Sequence, residues 1–115
     1  MLKRDKFKPA FKFWIEFEGK PLLGKGGAAI LEQIKKDGSI SKAAQKLGMS
    51  YRYVWKYLNE IRKITGEPAV KTFKGGKNGG GGAQLTELGE YLLKKYSQMS
   101  HRLEIFLFGK SNGSK

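Results

Sequence analysis

Between Ala10 and Gly19 apolar and polar residues alternate. Phe11, Phe13, Ile15 and Phe17 fall on one side, and Lys12, Trp14, Glu16 and Glu18 on the other. A period of two sends successive side chains to opposite faces, so this segment predicts a strand with one buried face. "GKPLLG" then predicts a turn, with Pro21 and the flanking glycines as breakers. Further on the period lengthens. Ile30, Leu31 and Ile34 form one stripe of a first helix, which Gly38 is placed to stop. Ser41 is placed to cap a short helix over Lys42 to Leu47, ended by Gly48, and Ser50 to cap a second from Tyr51 to about Thr65. In the second helix Val54, Leu58 and Ile61 point inward and Gly66 ends the run. Two short capped helices joined by Gly48, Met49 and Ser50 describe a helix-turn-helix.

After Pro68, "AVKTFK" reads as a strand and "AQLT" as its partner, so the segment between them is the tip of a hairpin. That tip holds six glycines in the eight positions from Gly75 to Gly82, the other two being Lys77 and Asn78. A nucleotide-binding P-loop would need Gly-Lys followed by Ser or Thr and a helix start, and neither this stretch nor "GKGGAA" at Gly24 has that form. Thr86 then opens a last helix. Leu85, Leu88, Leu92, Tyr96, Met99, Leu103 and Phe106 are spaced by threes and fours, a seam of the kind that pairs helices. The fold class expected is mainly α with a small β component: a winged helix-turn-helix with a long C-terminal dimerisation helix. The chain divides into a basic arm at 1–9, the winged domain at 10–86, the dimerisation helix at 87–108 and a disordered tail at 109–115.

Composition sharpens this reading. Twenty-three Lys and Arg against ten Asp and Glu give a net charge of +13 on 115 residues, a surplus that points to a polyanionic partner, nucleic acid before an anionic membrane surface. From Lys35 to Lys77 eleven Lys and Arg face only Asp37, Glu60 and Glu67, so eight of the thirteen excess charges lie in this stretch. The absence of cysteine excludes a disulfide scaffold, thiolate zinc sites and a Cys nucleophile. No carboxylate pair, metal cluster or activated nucleophile is visible, and the single histidine, His101, sits beside the helical seam, so no enzyme, cofactor or metal is expected. The amino terminus lacks the apolar middle of a secretory signal and no long apolar run occurs, which places the chain in the cytoplasm with no membrane partner.

A winged helix-turn-helix implies duplex DNA: a helix enters the major groove and the hairpin tip reaches neighbouring phosphates or the minor groove. With Val54, Leu58 and Ile61 given to the core, Tyr51, Arg52, Trp55, Lys56 and Asn59 are left for the outer face. Arg52 suits the guanine O6/N7 edge and Lys56 a phosphate. Tyr51 and Tyr53 suit phosphate, sugar or the thymine methyl; Trp55 fits core and interface equally, and Tyr57 fits the core. Ser41, Lys42, Ser50, Lys74, Lys77 and Asn78 complete the expected contacts. Leu88, Leu92, Tyr96, Met99, Leu103 and Phe106 form the expected homodimer interface. Two other readings stand beside a sequence-specific regulator: an architectural protein that coats DNA with little sequence preference, and an interaction module whose seam takes a partner helix.

"GSISKAAQKLGMSYRYVWKYLNEI" followed by "GGKNGGGGAQLTELGEYLL" resembles the amino-terminal DNA-binding domain of the molybdate-responsive ModE-type regulators, related to the LysR-type winged helix. The resemblance spans about residues 11–100. It implies a homodimer paired through the long carboxy-terminal helix, with two recognition helices in successive major grooves and two wings on the backbone. Lys56 replaces the acidic residue common after the tryptophan, which implies a different base preference, and Asn78 lengthens the usual Gly-Gly-Lys-Gly-Gly-Gly-Gly-Ala tip by one residue. The chain is expected to carry no molybdate-binding or other small-molecule effector domain.

Overall fold

The computed structural model describes residues 1–74 and 81–109. Its elements are β1 (Ile15–Phe17), β2 (Lys20–Leu23), α1 (Lys25–Asp37), α2 (Ile40–Leu47), α3 (Tyr51–Thr65), β3 (Val70–Phe73), β4 (Gly82–Leu85) and α4 (Glu87–Phe108), after a single 3-10 turn at Arg4–Lys6 in the exposed basic arm. β1 pairs antiparallel with β2 and β3 with β4, making two separate hairpins.

The long strand expected over Ala10 to Gly19 is the main departure. Only Ile15–Phe17 is strand, and the segment predicted to be a turn is largely its partner, β2, with Leu22 and Leu23 buried. The reversal is tighter than expected: Glu18 and Gly19 both have positive φ, 49° and 82°, as a two-residue type I′ hairpin requires. Alternation does persist upstream, with Phe11, Phe13 and Ile15 half-buried, but β2 offers only four residues to pair with, and Phe17 is 37% exposed. The aromatics find another partner. Phe13 stacks on Tyr96 of α4 at 4.4 Å between ring centres, and Phe11 reaches Phe13 and Phe108, each at 6.4 Å.

α1 is the centre of the core, where Ile30, Leu31 and Ile34 are almost wholly enclosed. Around it close Leu23, Ala43, Val54, Ile61, Ala69, Ala83 and Leu92, with Val70 of β3 partly buried against them, so every element from β2 to the start of α4 contributes. α2 begins two residues earlier than expected. Ser39 is its cap, its hydroxyl accepting from the Lys42 amide at 3.1 Å, while Ser41 lies exposed inside the first turn. The reason is Ile40: with Ala43 and Ala44 it completes the buried stripe, and only a helix that includes it can bury it. Ser50 caps α3 as expected, accepting from the Tyr53 amide at 3.0 Å. Between α2 and α3 the chain turns through Gly48 at φ 69°, a conformation costly for a residue with a Cβ.

The β3–β4 hairpin is fastened at both ends of its inner strand. The Ala83 amide donates to the Gly38 carbonyl and the Thr86 amide to the Ala69 carbonyl, each at 2.9 Å. Thr86 also caps α4, accepting from the Gly89 amide at 3.1 Å, and its hydroxyl donates to the Pro68 carbonyl at 2.7 Å. Helix-turn-helix, hairpin and a 22-residue closing helix together form a winged helix-turn-helix.

Candidate nucleic-acid interface

The outer face of α3 is the continuous polar surface that the helix-turn-helix displays. Val54, Leu58 and Ile61 face the core, which turns Arg52, Lys56, Asn59, Arg62 and Lys63 to solvent. These residues, with Trp55, Glu60 and Gly66, line an open hollow of about 810 Å³ along the helix. A second, smaller cleft of about 230 Å³ joins α2, α3 and the hairpin, lined by Ser39, Ser41, Tyr51, Trp55, Thr72 and Phe73 together with Gly81 to Ala83. Trp55 lines both hollows. It is half-buried against the core and meets Tyr51 edge-on at 6.2 Å and 69°, so it serves packing and surface at once.

Of the expected contact residues, Ser41, Lys42, Ser50, Tyr51, Arg52, Tyr53, Lys56, Asn59 and Lys74 are exposed. The small cleft brings Ser41, Tyr51 and Trp55 together, and the larger one Arg52, Trp55, Lys56 and Asn59. Ser50 is at the start of α3 but its hydroxyl is committed to the cap. Lys77 and Asn78 lie outside the described residues. Arg62 and Lys63, which were not among the expected contacts, belong to the same cationic surface; continuing the Arg52, Lys56, Asn59 face by three and four residues along the helix reaches them.

The ion pairs among the described residues lie elsewhere, Lys35 to Glu90, Lys36 to Glu32 and Lys46 to Asp37, and leave Lys42, Arg52, Lys56, Lys71 and Lys74 uncommitted. Lys46 alone of the α2 cations is neutralised. Its Nζ donates to Asp37 at 2.8 Å and Gln33 donates to the other carboxylate oxygen at 3.0 Å; these bonds hold the Asp37 carboxyl below the usual carboxylate range. Tyr57 behaves as a core residue. Its hydroxyl donates to the Leu22 carbonyl at 2.9 Å, tying α3 to β2, and burial pushes the phenol well above its ordinary range.

No protein-family model matches the chain. Curated relatives do. The Transcriptional regulator ModE of Yersinia pestis is 42% identical over 72 residues, covering 63% of this chain and 27% of that protein. The chain is similar to the amino-terminal region of ModE-type regulators. The DNA-binding transcriptional dual regulator ModE of Escherichia coli is 38% identical over 72 residues, with the same coverage of each chain. The Molybdenum-pterin-binding protein MopB of Rhodobacter capsulatus is 39% identical over 74 residues, covering 64% of this chain and 27% of that one. The chain thus spans about a quarter to a third of the length of these ModE-type relatives. A MarR family transcription regulator of known structure superposes with a TM-score of 0.54 at 21% identity, covering 76% of this chain and 58% of that one, and shares its fold.

The expected dimer seam divides when placed on the fold. Leu92 is 3% exposed in the chain's own core, with Leu88 and Tyr96 half-buried against it, so Leu92 has no surface left for a partner. Tyr96 is covered by Phe13. Beyond them Met99 and Phe106 are exposed and Leu103 is partly so, and Ile105 and Phe108 join this apolar end. Among the described residues no helix is long and apolar enough to cross a membrane.

Proposed function

We propose that this chain is a sequence-specific double-stranded DNA-binding module that acts in transcriptional regulation as a homodimer. One observation supports the reading above the others: the start of α3, the front of α2 and the loop-side end of the β3–β4 ladder open on one cleft, and exposed cations outside the ion pairs neighbour its lining residues along the chain. A helix whose first turn faces a groove beside a wing is how winged helices read a duplex, and the relatives named as transcriptional regulators agree with it. In this reading Arg52 reads a base edge while Lys56 and Lys74 meet phosphates. The dimer forms through the outer half of α4, where Met99, Leu103, Ile105 and Phe106 leave an apolar surface that a second copy covers.

Selection of bound fragments from random duplex DNA, with a gel-shift salt titration on the winners, tests this. A palindromic consensus is expected. Arg52→Ala should relax one base position at a cost of about 1–3 kcal/mol, whereas Lys56→Ala should weaken all sequences alike and reduce the salt slope by about one unit. Binding with no consensus at physiological salt would instead establish the architectural coating protein. An unchanged consensus in Arg52→Ala would remove α3 from base reading.

A further inference from the structure

The hairpin has two unlike faces. Directly paired residues share a face, so Val70, Thr72, Ala83 and Leu85 turn toward the core while Lys71, Phe73, Gln84 and Gly82 turn away from it. An outward position on a two-stranded hairpin ordinarily carries a polar residue. Here it carries Phe73, 51% exposed. The ring does not reach the core. It lies across the paired strand on Gly82, directly opposite, and a Cβ at Gly82 would collide with it. Glycine therefore leaves room for the ring, and Phe73 is among the residues that border the cleft lined by Tyr51, Trp55, Ser39 and Ser41.

Aromatic residues thus border this cleft from two elements: Phe73 of the hairpin, and the edge-on pair Tyr51 and Trp55 of α3, Tyr51 itself being 53% exposed. Exposed cations are close to them along the chain, Lys71 and Lys74 on either side of Phe73 and Arg52 next to Tyr51. An apolar ring between positive side chains matches a ligand that is itself apolar between negative groups. A nucleic-acid strand has that order, each deoxyribose presenting C–H faces between two phosphates.

We propose, on the reading that this face binds duplex DNA, that Phe73 is a DNA-contacting residue: its exposed ring packs on a deoxyribose of the strand that passes the cleft it shares with Tyr51 and Trp55. The contact neutralises no phosphate and releases no counterion, so its contribution is independent of salt, unlike that of Lys74. It fixes how closely the strand approaches the base of the wing.

The experiment uses the full chain and a duplex that the wild-type protein binds, with affinity measured across a salt series and sugars probed by hydroxyl-radical cleavage at saturating protein. Phe73→Ala should weaken binding on the order of tenfold at every salt concentration with the slope unchanged, as expected for losing part of one ring's burial. The footprint should lose protection at one or two sugars beside each half-site, and Phe73→Tyr should restore both. Phe73→Gln, which keeps a side chain over Gly82, carries the same expectations if the alanine protein does not fold. Wild-type affinity and sugar protection in Phe73→Ala or Phe73→Gln overturn the assignment, as does a loss that appears only as a reduced salt slope. Failure of the wild-type protein to bind any duplex overturns the DNA-binding reading instead. If these variants keep DNA binding unaltered but lose a protein partner, the cleft belongs to that partner.

Discussion

α3 and α4 are made by the same local rules and end with opposite surfaces. Each begins at a hydroxyl cap, Ser50 or Thr86, and stops at a left-handed glycine, Gly66 or Gly109. In α3 the buried residues Val54, Leu58 and Ile61 are spread over the helix, and what remains outside is Arg52, Lys56, Asn59, Arg62 and Lys63. In α4 the buried residues, Gly89, Leu92 and Leu93, all lie in the first two turns. Past them the helix runs on with Met99 and Ile105 exposed and Phe106 83% exposed. One helix spends its apolar stripe on its own core and offers charge; the other has more apolar surface than its domain can cover. The first arrangement suits a polyanion and the second suits another apolar surface, so capping and helicity say nothing about which partner a helix takes.

The largest way to break this contrast is at the root of α4. Leu92→Ala should cost about 2–5 kcal/mol of folding stability by opening a cavity against the core, read as a lower midpoint in denaturant. Little change there would mean that α4 does not rest on the domain as described. Next comes the outer half. Phe106→Glu should leave the melting temperature of the monomer nearly unchanged while weakening self-association more than tenfold in sedimentation, since a buried unpaired charge is costly at an apolar interface. Should Phe106→Glu sediment as the wild type does, this end of α4 pairs with no second copy.

The smallest effect concerns charge. The Lys46 and Gln33 bonds lower the Asp37 carboxyl in the folded protein, so the group stabilises the fold above the usual carboxylate range. That contribution is fully present above about pH 4 and is lost as pH falls through the lower folded-state value. Asp37→Asn should therefore lower the melting temperature at pH 7 and converge with the wild type in strong acid. A difference that persists unchanged at low pH would assign the effect to packing instead of charge.

Much of this was legible along the chain because it is local. Ser50, Gly38, Gly48 and Gly66 mark helix ends by their own backbone chemistry, and the Val54, Leu58, Ile61 spacing orients α3 without reference to anything distant. The errors came where a neighbour decided. Ser39 and Ser41 are equally good caps, and the choice fell to Ile40, which had to reach the core; the stripe of Ile40, Ala43 and Ala44 was the available signal. The alternating aromatics after Ala10 looked like a strand, yet strand pairing ended with the four residues of β2 and Phe11 and Phe13 went to α4. Periodicity reports that one side of a segment is apolar, not what will cover it.

By itself the sequence determined the helices and their stops, the cationic side of α3 and the β3–β4 hairpin, all set by side-chain period, caps and charge within a few residues. Only the tertiary structure decided that Leu92 belongs to the core while Phe106 does not, and that Phe73, opposite a glycine, borders one cleft with Tyr51 and Trp55. Both outcomes depend on how far one element reaches past another, and no period along a single chain encodes that distance.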